Sequence, residues 1–186
     1  MGTTSQFTSR WALAALLGGA AGIAFAPILV RWSEAGPSAT AFYRILFALP
    51  WLWAWQGVER SQGTRPPATK GEFGMLAVAG LCFAGDLAIW HWSLRLTSVA
   101  NSTLLTNCAP FFVALGAWVF FRERITPVFL VGMALAAGGA ALVIGAKFEA
   151  RHFAGDMLGL TTAVFYAGYQ MAVKQLRRSL STASIM

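Results

Sequence analysis

Residues 80–125, from Gly80 to Ile125, read GLCFAGDLAIWHWSLRLTSVANSTLLTNCAPFFVALGAWVFFRERI. Two long apolar segments meet at a short break around Ser93–Thr97. Polar groups that lipid rejects lie inside both: Asp86 and His91 before the break, Asn101, Thr103, Thr106 and Asn107 after it. The cluster Arg122-Glu123-Arg124 closes the second segment and reads as a solvated helix end, with a gating contact as the alternative. An apolar hairpin with polar groups in its interior points to a membrane protein that handles something polar.

Composition supports that reading. Of 186 residues, 57% are hydrophobic and only 11% charged, against about 25% charged in an ordinary soluble domain. The net charge of +7 does not mark a nucleic-acid surface, because the basic residues sit in gaps between apolar runs rather than in one patch. Cys82 and Cys108 lie inside apolar segments and read as small buried hydrophobes.

Working outward, the chain divides into six apolar spans, each near the roughly 20 residues that cross a bilayer. They are Trp11–Trp32, Ala39–Trp55, Phe73–Leu94, Ser98–Phe121, Pro127–Ala146 and Gly155–Gln175. The fold class expected is therefore all-α integral membrane, with residues 1–10 as a cytoplasmic tail. Pro110 falls inside the fourth span and predicts a kink there. Trp51, Trp53 and Trp55 read as an interfacial belt, and Ser179–Met186 is too short to be another helix. With the N-terminus inside, nine basic residues fall in inner segments and four in outer turns, leaving Arg44 within a span. That asymmetry predicts an N-inside orientation.

The sixth span resembles the first. Leu17, Ala20, Ala24 and Val30 align without gaps with Leu160, Ala163, Ala167 and Val173. Five spans separate the two starts, so the sixth crosses in the opposite direction to the first. This is the pattern of an inverted-topology repeat. The expected organisation is a complete five-helix repeat over residues 11–146, then a turn and the first helix of an incomplete second repeat over 147–186.

Several stretches carry a family resemblance: Ala26-Pro27-Ile28-Leu29-Val30-Arg31, then Gly36-Pro37-Ser38 with Ala41-Phe42-Tyr43-Arg44. The run through Pro110 to Glu123-Arg124-Ile125-Thr126 belongs with them, as do the small-residue fifth span, Gly155-Asp156 and Tyr166-Ala167. In order and spacing the chain resembles the EamA-type branch of the drug/metabolite transporter superfamily over nearly all of residues 11–182. The resemblance implies about ten helices in two inverted halves, a central cavity, and alternating access for small metabolites. It also implies partners for this chain: a small-molecule substrate, the bilayer, and a missing C-terminal half or a second copy. A bacterial cytoplasmic membrane is the expected location.

Depth and helical phase select candidate residues. Arg44 lies roughly 9 Å from the outer end of its span, Asp86 roughly 13 Å and Asn107 roughly 15 Å, at 1.5 Å per residue. The three share one layer. Arg44 and Asp86 read equally as a neutralising ion pair or as a substrate site, and Asp86 is the candidate for proton coupling. Asp86, Trp90 and Ser93 share one helix face, Thr103, Asn107 and Pro110 another, and Tyr166 and Gln170 a third. The candidate substrate-binding set is Arg44, Asp86, Trp90, Thr103, Asn107, Tyr166 and Gln170. For Thr103 and Asn107 the competing reading is bonding between helices. His91, Trp90 and Trp92 compete as interfacial residues.

A secondary transporter of small polar metabolites, with export as one direction, is the reading these residues favour. The alternative is a non-transporting membrane assembly subunit or inactive fragment that needs a partner half. An enzyme is not expected. The sequence offers no nucleophile–base pair, metal cluster or phosphate loop, and the two histidines, His91 and His152, do not match in depth as haem ligands. No cofactor and no metal are therefore expected.

Overall fold

The computed structural model describes residues 3–123, 125–145 and 152–186. It is helical, and no strand occurs among the described residues. The helices are α1 (Thr3–Trp32), α2 (Pro37–Ser61), α3 (Lys70–Leu96), α4 (Val99–Thr106), α5 (Ala109–Phe121), α6 (Pro127–Gly145), α7 (Phe153–Leu176) and α8 (Thr182–Ile185). Ala146, the expected end of the fifth span, lies outside the described residues, as does most of the turn after it. Helix α1 starts eight residues before Trp11, and α2 continues six residues past Trp55. The short C-terminal stretch forms one helical turn, α8.

Local chemistry sets these boundaries. Gly36 takes a left-handed φ of 80°, which its missing Cβ permits, and Pro37 then opens α2. Thr69 and Glu72 form a reciprocal capping box at the start of α3. The Thr69 hydroxyl accepts from the Glu72 N–H at 3.2 Å, and the Glu72 carboxylate accepts from the Thr69 N–H at 3.1 Å. Ser98 caps α4 by accepting from the Asn101 N–H at 3.0 Å.

The fourth span corrects the sequence reading. It is not one kinked helix over Ser98–Phe121 but two, α4 and α5, separated by a turn at Asn107–Cys108. Pro110 is the cause. It has no N–H to give the Thr106 carbonyl, and its ring crowds that carbonyl, so the helix stops at Thr106. Pro110 then occupies the first turn of α5, where the missing N–H costs nothing.

Helices α3 and α7 make the most extensive contact in the molecule. They run antiparallel, with Thr97 against Gly155, Ser93 against Gly159 and Cys82 against Gly168. The glycines allow this approach: a Cβ on Gly155 would lie 2.6 Å from the Leu96 carbonyl carbon and 2.7 Å from the Thr97 nitrogen. Helices α4 and α5 also lean on α7, and α8 folds back against α2. At that end Ala79, Ala172, Leu176 and Leu180 form a small apolar core. Helices α1 and α6 are peripheral.

Three stretches are long and apolar enough to cross a membrane: Leu13–Trp32, Lys70–Leu96 and Val99–Phe121, the last spanning the α4–α5 break. Pro127–Leu142 is a shorter apolar helix. Large apolar side chains face outward around the bundle, among them Trp51, Phe120 and Leu142, each at least three-quarters exposed. Water would penalise that surface and lipid does not. The protein is integral to a membrane through several apolar helices.

Replacing Gly155 by Ala should destabilise the detergent-solubilised protein by about 1–3 kcal/mol, the range for overpacking. Gly132→Ala on α6, where a Cβ meets nothing within 4 Å, should leave the melting temperature unchanged or raise it. Equal melting curves for the two variants would refute the close α3–α7 packing.

Candidate functional site

A cavity of about 950 Å³ opens between α1, α2, α3, α4 and α7. Its walls are mostly apolar, including Ala20, Ala24, Pro27, Phe83, Leu87 and Leu104. Six of the seven residues selected from sequence line it: Arg44, Asp86, Trp90, Thr103, Asn107 and Tyr166. Gln170 does not. It lies one helical turn deeper than Tyr166, half-buried and outside the lining. Thr106 lines the cavity as well, with its hydroxyl donating to the Ser102 carbonyl at 2.9 Å.

The charged groups are held apart. Arg44 does not pair directly with Asp86; its guanidinium lies over the Trp90 ring, 5.7 Å from the centroid. This is the geometry of a cation–π contact. Asp86 is buried and makes no hydrogen bond to the described residues. The Thr103 hydroxyl is likewise buried without a partner. One cavity therefore presents a cation and a carboxylate within apolar walls, with the unpartnered Thr103 hydroxyl buried in its wall. Such a site can bind a small molecule that carries polar groups on an apolar body.

A second polar group of residues has a different character. The Thr97 hydroxyl donates to the Asp156 carboxylate at 2.6 Å, and the Asn101 amide donates to the same oxygen at 3.4 Å. The Ser93 hydroxyl lies 2.8 Å from both the Ser102 hydroxyl and the Gly155 carbonyl. All of these side chains are buried. Ser93 was expected on the cavity face with Asp86 and Trp90; it is instead part of this knot, which ties the α3–α4 turn to the start of α7. The sequence carried one signal for it, Gly155-Asp156, because a glycine beside a buried carboxylate marks close backbone approach.

Two further expectations change. His91 is fully buried, not interfacial: its Nδ1 donates to the Leu87 carbonyl at 2.6 Å, and its Nε2 has no partner. Glu123 is more than a solvated helix end. It accepts from the Lys174 ammonium at 2.6 and 2.8 Å, linking the end of α5 to α7. Both side chains are about half-exposed, so the pair is worth about 0–1 kcal/mol. Arg124 lies outside the described residues. Trp92 is exposed, as a lipid-facing residue would be.

The fold is that of a polytopic helical membrane protein with a part-polar cavity among its helices. The chain belongs to the EamA-like transporter family, whose model matches residues 10–145. It is 29% identical over 123 residues to a riboflavin transporter of Brucella anthropi, covering 66% of this chain and 43% of that protein. It is 27% identical over 146 residues to an uncharacterized transporter of Archaeoglobus fulgidus, covering 76% of this chain and 49% of that protein. It is 28% identical over 112 residues to the pseudopaline exporter CntI of Pseudomonas aeruginosa, covering 60% and 39%. The chain thus spans less than half the length of these relatives. No solved structure matches it.

Replacing Asp156 by Ala removes the acceptor of Thr97 and Asn101 and leaves two buried donors unpaired. The expected loss is about 1–3 kcal/mol of stability for each, read as a lowered melting temperature. An unchanged melting curve would refute a structural role for the knot.

Proposed function

We propose that this chain carries most of the substrate path of a secondary transporter for small polar metabolites, working by alternating access. The observation that carries the reading is the cavity with Arg44, Asp86 and the unpartnered Thr103 hydroxyl set in apolar walls. Buried groups of this kind are costly in a membrane unless a ligand, water or another protein segment satisfies them. On this reading six helices or broken helices span the bilayer with the N-terminus inside a bacterial cytoplasmic membrane. Residues 11–146 form one five-helix repeat, and α7 opens an inverted second one. The cavity is completed by the remaining four helices of that repeat. Arg44 offers an anion site and Asp86 a cation or proton site, so a molecule bearing both charges, such as an amino acid, fits better than a neutral one. Tyr166 and Trp90 supply aromatic surface.

The test is counter-substrate-stimulated flux in liposomes, with riboflavin and amino-carboxylates as first probes. Losing one charge-assisted contact costs about 1.5–3 kcal/mol, so Arg44→Gln and Asp86→Asn should each lower flux by about ten- to a hundredfold. Wild-type flux for both variants would remove the site. If Asp86 also carries the coupled proton, Asp86→Asn should flatten the pH dependence of flux. Pore-forming or assembly activity without saturable flux would favour the assembly-subunit reading instead.

A further inference from the structure

The end of α5 carries a feature that the cavity does not explain. Arg122 caps the helix at φ 52° and ψ 30°, and among the described residues it is the one non-glycine in the left-handed region. Glycine takes that conformation without a steric penalty and is the usual residue there. The turn itself is satisfied by backbone bonds, because the N–H groups of Arg122 and Glu123 both donate to the Ala117 carbonyl. What arginine adds is its side chain. Arg122 lines a recess of about 690 Å³ with Trp118, Val119, Glu123 and Ile125. The Glu123 carboxylate is neutralised by the Lys174 ammonium at 2.6 Å, so the recess stays cationic. Arg177 and Arg178, exposed three and four residues after Lys174, add to the positive field at this end. Trp118 is 57% exposed one helical turn before Arg122, the placement of an aromatic side chain at headgroup level.

A second hollow begins at the same place. Val119 also lines an apolar groove of about 430 Å³ between α3, α5 and α7. Close contacts of Gly116 with Met171 and of Gly168 with Cys82 form its floor, and Leu115, Phe120 and Phe165 wall it. Leu115 and Phe120 are exposed, so the groove opens toward lipid. We infer that the two hollows form one binding site for an acidic phospholipid, with the phosphodiester at Arg122 and an acyl chain laid along α5 and α7. The guanidinium matches phosphate oxygens in geometry as well as charge. A zwitterionic headgroup brings its own ammonium into a field that is already positive. Free phosphate leaves the groove empty, and an apolar helix laid over the groove leaves Arg122 without an anion. The inference rests neither on transport nor on the inverted repeat.

The test compares palmitoyl-oleoyl phosphatidylglycerol with phosphatidylcholine of the same chains, added to the purified full-length protein in detergent. Bound lipid is counted by native mass spectrometry and its effect read from melting curves. Phosphatidylglycerol should bind more tightly and raise the melting temperature more. Arg122→Gly should melt at or above the parent without lipid, because glycine relieves the left-handed turn, yet bind phosphatidylglycerol about fivefold more weakly, the value of one basic side chain near an anionic headgroup. Arg122→Asn, a residue that also tolerates this backbone, gives the same reading without glycine's freedom. Val119→Trp, at an exposed position, should close the junction and weaken both lipids. Equal affinity of the parent for the two lipids would overturn the inference. So would undiminished phosphatidylglycerol preference in both Arg122 variants, or parent-like lipid binding by Val119→Trp. Glycerol phosphate displacing phosphatidylglycerol at equal concentration would show a bare anion site and overturn it too.

Discussion

A buried polar group inside a membrane must find its partner within the protein, and that rule divides this molecule in two. Around Asp156 the rule is obeyed at one carboxylate oxygen, which accepts from Thr97 and Asn101. Thr97, Asn101, Ser93, Ser102 and the Gly155 carbonyl close on one another across the α3–α4 turn and the start of α7. Close approach comes first. Only a glycine at position 155 lets the α7 backbone reach the turn at the distance those bonds need. The α3–α7 pair, and the helices that lean on it, depend on that junction.

Around Asp86 the rule is left open. The carboxylate, the Thr103 hydroxyl and the guanidinium of Arg44 face shared space rather than each other, and Trp90 takes the cation onto its ring. A hydrogen-bonded knot and an open cavity lie along the same helices. The first gives rigidity. The second leaves polar capacity for something that is not part of the described fold, and the apolar walls raise the strength of any contact made there.

Much of the fold was legible because apolar runs of membrane length are conspicuous and because proline and glycine punctuate them. The span ends at Trp32, Leu96 and Phe121 lie within two residues of their expected places. The candidate cavity was legible because depth and helical phase are simple arithmetic: Arg44, Asp86, Trp90, Thr103, Asn107 and Tyr166 do converge. What failed was the assignment of partners. Ser93 and Asp86 share a face by periodicity, but helical phase does not say that Gly155 arrives beside one and not the other. Gln170 shares a face with Tyr166, but the cavity ends between them. His91 sits near a span end in sequence and is nonetheless fully buried, which no local pattern records. The break at Asn107–Cys108 exceeds a simple bend because the proline both removes a donor and crowds the Thr106 carbonyl, which ends the regular ladder there.

That break has a mechanical meaning. A continuous helix of this length resists bending because every turn would have to stretch a hydrogen bond, whereas at Asn107–Cys108 the regular ladder is already interrupted. The span is free to change direction at this joint. On one side α4 carries Thr103 into the cavity; on the other α5 is anchored on α7, with Gly116 against Met171. The span thus behaves as two rigid rods and a joint rather than as one rod. Both rods rest on α7, α4 through Asn101 on Asp156 and α5 through Gly116 against Met171, so the joint lets each meet that one helix at its own angle.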